Sequence, residues 1–150
     1  MNTLSKLFVE PNALRLESVL NELVQAFNQR RLSILNRYGV NEQDVEIIRY
    51  LNETDLKKMK EIGEFFNIKL STLTSTIDKL EKNKLVKRKN SKEDRRVIYI
   101  RPTSKGENLL AELSDMMKSL SEAMQKESKP DDFTSMLDGL EKILVFIQSH

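Results

Sequence analysis

No cysteine occurs in this chain, no tryptophan, and the one histidine is His150 at the last position. Without thiols there is no disulfide, no thiolate metal site and no cysteine redox switch. One terminal imidazole leaves nothing to build a zinc site or a histidine general base from, so no metal and no cofactor is expected. A Ser/His/Asp set and a glycine-rich phosphate loop are equally missing, and an enzyme is not expected. No apolar run is long enough to span a bilayer. The start of the chain lacks a basic region followed by an apolar stretch, so a cytoplasmic protein without membrane contact is expected. Aromatics are scarce at 6%, and there are only four glycines and three prolines. That balance suits long helices better than a sandwich or a barrel.

Charge, by contrast, is plentiful at 32% of residues, and the net of +2 hides a strong asymmetry. Between Lys82 and Lys105 ten basic residues face only Glu93 and Asp94, a local charge of +8 that leaves −6 for the rest. A basic segment on an acidic body suggests a polyanion partner at one place. A solvated hairpin could carry the same charge, so the neighbouring elements must decide.

Hydrophobic spacing supplies those elements. Leu16, Val19, Leu20, Leu23, Val24 and Phe27 recur at helical period, predicting one long helix from Pro11 to Tyr38 that Gly39 ends. Asn41 is a good N-cap for a second helix with Val45, Ile48 and Leu51 buried. A short helix over Leu56–Phe66, a break at Asn67-Ile68-Lys69 and a helix over Ser71–Asn83 form a candidate helix-turn-helix. The period then changes to that of strands. Leu85–Lys89 and Val97–Arg101 flank the polar run 90–94, predicting a β-hairpin with a basic tip. Thr103 caps a long helix to about Glu127, and Pro130 with Asp131 and Asp132 opens a last one.

On a wheel of the helix after the break, Leu70, Leu73, Ile77 and Leu80 share the core side. Ser71, Thr72, Ser75, Lys79 and Lys82 share the opposite face. Short hydroxyls let a helix approach the major groove closely, and lysines near its end can meet phosphate. Most surface helices own a polar face, so this one gains meaning only from the hairpin beside it. There Arg88, Lys92, Arg95 and Arg96 are candidate DNA contacts, since an arginine on a projecting hairpin can enter a narrow minor groove. Asp94, set among these cations, is a candidate to orient the wing by pairing with a guanidinium.

The run from Ile62 to Gly106 resembles the MarR family of winged helix-turn-helix transcriptional regulators. Its motifs stand here in order as Leu73-Thr74, Leu80-Glu81, Leu85-Val86, Arg88, Asp94-Arg95-Arg96 and Thr103-Ser104-Lys105-Gly106. The resemblance implies a mainly α fold with a small β-hairpin, a winged helix-turn-helix flanked by long dimerisation helices. Residues 10–38 and 103–148 would form the helical dimerisation region and 41–102 the DNA-binding lobe, within one unit of 1–150. It implies a homodimer on a pseudo-palindrome of double-stranded DNA, with the recognition helix in the major groove and the wing at the minor groove. Any effector would be a small organic molecule, at a site the sequence leaves unknown. The alternative is a winged-helix protein–protein module without sequence-specific DNA binding. Two positions depart from the family pattern. Lys84, after Asn83, stands where glycine is usual, which predicts a shifted or differently capped helix end. Pro102-Thr103 replaces the usual Leu-Thr.

Overall fold

The computed structural model describes residues 11–53, 56–91 and 97–149. The predicted hairpin tip, with Lys92, Asp94, Arg95 and Arg96, lies outside them. The described residues form α1 (Pro11–Tyr38), α2 (Glu42–Glu53), β1 (Lys57–Lys58), α3 (Met59–Phe65), α4 (Leu70–Lys82), β2 (Val86–Asn90), β3 (Ile98–Pro102), α5 (Ser104–Glu127) and α6 (Pro130–Ser149). They divide into two compact units, one ending at Leu110 and the other beginning at Ala111.

The first unit holds the winged lobe. Its core joins Ile34 and Leu35 of α1 with Val45, Ile47, Ile48 and Leu51 of α2. Val40, Ile62, Leu73, Ile77, Leu80, Leu85, Val86, Ile100 and Leu109 complete it. The sheet has three strands in the order β1-β3-β2, all antiparallel. The sequence predicts a hairpin and a helix beginning at Leu56, but Lys57 and Lys58 pair instead with Ile100 and Tyr99. The helix then starts at Met59, because the Glu61 carboxylate accepts the Lys58 N–H at 2.7 Å and closes its first turn.

Three helix ends share one solution. After α1, Val40 N–H reaches Leu35 O at 3.1 Å, with Gly39 at φ +67. After α3, Ile68 N–H reaches Gly63 O at 2.8 Å, with Asn67 at φ +52. After α4, Leu85 N–H reaches Leu80 O at 2.9 Å, with Lys84 at φ +62. Each is a Schellman closure with one left-handed residue. The helix end at Lys84 is therefore neither shifted nor differently capped. A lysine adopts the strained conformation while Asn83 stays right-handed, because the side chain of Asn83 is employed elsewhere. Its Nδ2 donates to Gly39 O at 3.0 Å and ties the end of α4 to the end of α1.

The start of α5 is locked to the same junction. Thr103 Oγ1 donates to Lys84 O at 2.6 Å, and Thr103 N–H donates to Leu85 O at 3.0 Å. Gly106 packs so closely that a β-carbon there would sit 2.3 Å from Leu85 O. Only glycine fits at such a backbone approach.

In the second unit α6 has no buried residue among those described, and its Leu137, Leu140 and Leu144 are exposed. On α1, Leu16, Val19, Leu23 and Val24 are likewise exposed.

Candidate nucleic-acid interface

The axis of α4 is fixed by Leu73, Ile77 and Leu80, all fully buried. The predicted polar face is therefore turned outward: Ser71, Thr72, Ser75, Lys79 and Lys82 are all exposed. Ser75 Oγ donates back to Ser71 O at 3.2 Å, which leaves its lone pairs outward as acceptors. Leu70, expected on the core side, is 60% exposed. As the first residue of α4 its side chain leans beyond the helix start, where no preceding turn covers it.

Lys79 is not a free cation. Its Nζ lies 2.5 Å from Asp44 Oδ2, and Asp44 is the one charged residue among the buried described ones. Asp44 also accepts the Asn41 N–H at 2.8 Å, while Asn41 Oδ1 accepts the Asp44 N–H at 2.9 Å. This is a reciprocal cap of α2 with Asp in place of the usual Glu or Gln. The carboxylate that starts α2 thus also holds a lysine of α4.

Arg88, expected as a DNA contact, points inward from β2 and bridges to α4. Its guanidinium donates to Asp78 Oδ1 at 2.5 Å and to Glu81 Oε2, and its backbone N–H reaches Glu81 Oε1 at 3.2 Å. Partial burial works against its charge. The hydrogen bonds it donates to Asp78 and Glu81 outweigh that and hold its pKa above the ordinary guanidinium value. Asp44, Asp78 and Glu81 were not singled out as site residues by sequence reasoning. The Asn41-x-x-Asp44 spacing and the Leu80-Glu81 motif were the signals present for two of them.

Of the sequence candidates, Ser71, Thr72, Ser75 and Lys82 are brought together on one exposed helix face. Lys79 and Arg88 are drawn into ion pairs beside it. Outward on the hairpin, Lys87 and Lys89 of β2 stand opposite Arg101 and Tyr99 of β3.

Residues 40–98 match the model of the MarR family. The chain is 29% identical over 118 residues to the HTH-type transcriptional regulator MhqR of Bacillus subtilis, covering 73% of this chain and 81% of that protein. The Staphylococcus aureus MepR–DNA complex superposes with a TM-score of 0.75 at 17% identity, covering 87% and 98% of the two chains. The YusO protein of Bacillus subtilis superposes with a TM-score of 0.69 at 22% identity, covering 95% and 100%. These two structures share the mainly helical, winged fold.

Proposed function

The chain belongs to the MarR family of winged helix-turn-helix transcriptional regulators, and from that we propose how it engages DNA. Two copies dock on a pseudo-palindromic duplex, each with α4 in a major groove and its β2–β3 wing toward the adjacent minor groove. The observation that carries this is the α4 face itself. Four short or cationic side chains stand outward on a helix whose orientation is fixed by a buried leucine–isoleucine stripe. Ser71, Thr72 and Ser75 address base edges, and Lys82 meets phosphate. Arg95, Arg96 and Lys92 address the minor groove with Asp94 orienting them, as their sequence positions suggest. Lys79 and Arg88 serve by positioning α4 and the wing rather than by touching DNA.

The homodimer reading is supported by apolar residues that the described chain leaves open: Leu16, Val19 and Leu23 on α1, and Leu137, Leu140 and Leu144 on α6. A second copy presenting the same stripes would bury them isologously. In this reading residues 10–38 and 103–148 serve dimerisation and 41–102 serve DNA binding, and the protein acts as a cytoplasmic, non-enzymatic regulator. No helix among the described residues is long and apolar enough to cross a membrane.

Footprinting on the DNA upstream of its own gene tests the proposal. The expected result is a two-fold symmetric protected region with half-sites about one helical turn apart. An unprotected or asymmetric single half-site would contradict it, and a protein–protein role for the lobe would then take its place.

A further inference from the structure

The wing strands carry a cationic pair on the face turned away from α4. In the β2–β3 register Lys87 lies directly opposite Arg101, and both are exposed. Side chains alternate along a strand. Arg88, next to Lys87, points to Asp78 and Glu81 of α4, so Lys87 points to the other side. Like charges placed directly across an antiparallel pair repel. Among the described residues neither cation has a carboxylate partner within ion-pair distance. Both line an open cavity of about 410 Å³ between the end of α2 and the start of α5, with Asn52, Ser104 and Glu107 on its wall. That volume falls in the range of small-molecule sites.

We propose that this cavity binds a small organic anion, its phosphate or carboxylate head held between Lys87 and Arg101. The Ser104 hydroxyl and the Asn52 amide offer hydrogen bonds to the polar body of such a molecule. Glu107 accepts from its hydroxyl groups and disfavours a bare anion that has none. Occupancy relieves the cross-strand repulsion, so the anion stabilises β2 against β3 on the face that α4 does not use. The assignment needs nothing from the DNA-binding reading and is tested without DNA.

Thermal unfolding of the full chain at fixed ionic strength, with about 10 mM glucose 6-phosphate, citrate or glucose, tests it. Glucose 6-phosphate or citrate should raise the midpoint, and glucose should not; the responding anion identifies the head group. Lys87→Ala and Arg101→Ala should each weaken that response at least tenfold in midpoint-derived affinity. Lys89→Ala removes a cation from the same sheet face but not from the cavity wall, and should keep it. Glu107→Gln should tighten binding. No shift with either anion overturns the proposal. So does an equal loss in Lys89→Ala, which would mean general charge screening, or weaker binding in Glu107→Gln.

Discussion

The ammonium of Lys79 on α4 sits 2.5 Å from the carboxylate of Asp44, which is 1% exposed at the start of α2. A lysine that reads as a phosphate contact in the sequence is thus the counter-ion of a buried acid. Each phosphate contact contributes about 0.9 to the slope of log affinity against log salt. Lys82→Ala should therefore lower the slope by about one, while Lys79→Ala should leave it unchanged. The same Lys79→Ala strands Asp44 without its cation and should cost about 2 kcal/mol of stability by urea unfolding. A slope that falls in Lys79→Ala as in Lys82→Ala would return Lys79 to the DNA interface.

Arg88 gives a test by sign. If it positions the wing, Asp78→Ala with Glu81→Ala releases the hairpin from α4, and DNA affinity falls. If it reads DNA, the same change frees its guanidinium, and affinity rises. We expect the fall, by about tenfold, with loss of amide protection along β2 and β3 in hydrogen exchange.

Lys84 at φ +62 carries strain that glycine would not. Lys84→Gly should raise stability by about 1 kcal/mol, read as a higher urea midpoint with unchanged slope. The chain would gain what the family pattern usually supplies.

Gly106→Ala acts in the opposite direction. Its β-carbon would meet Leu85 O at 2.3 Å, and that oxygen also accepts the Thr103 N–H. The start of α5 must move, and we expect a loss of about 3 kcal/mol in thermal or urea unfolding.

One ion pair sets a pH dependence. Arg31 grips Glu42 through two hydrogen bonds, Nε to Oε1 at 2.7 Å and Nη2 to Oε2 at 2.6 Å. These bonds hold the Glu42 carboxyl below its ordinary value of 4.5. A carboxyl lowered on folding contributes stability above its unfolded value, and that contribution is lost as pH falls through the folded one. Glu42→Gln should thus be less stable than the parent at pH 7, and the gap should close in acid below 4.5. The pair is partly exposed, so the gap at pH 7 should stay under about 1 kcal/mol.

The long helices and the hairpin could be read from the sequence because each keeps one side-chain period through its whole run and its punctuation is local. Gly39, Asn41, Thr103 and Pro130 each act on the residues beside them. β1 could not be read, since two lysines form a strand only when Ile100 and Tyr99, far along the chain, offer an edge. The outward face of α4 followed from the wheel, but the fate of Lys79 and Arg88 did not. Each is decided by acids on other turns or other elements, at separations of 35 and 7 to 10 residues. Asn83 and Lys84 show the same limit. Intrinsic preference gives the left-handed place to Asn83, but a bond to Gly39 O, 44 residues away, keeps Asn83 right-handed.

Sequence reading by α4 rests on Ser71, Thr72 and Ser75. Fluorescence anisotropy measures it most directly, comparing the duplex from upstream of its own gene with a scrambled duplex of equal length and salt. At least about a thousandfold preference for the native duplex is expected. Ser71→Ala combined with Ser75→Ala should reduce that preference with no change in binding to the scrambled duplex. Equal affinity for the two duplexes, or a preference untouched by the serine changes, would contradict it.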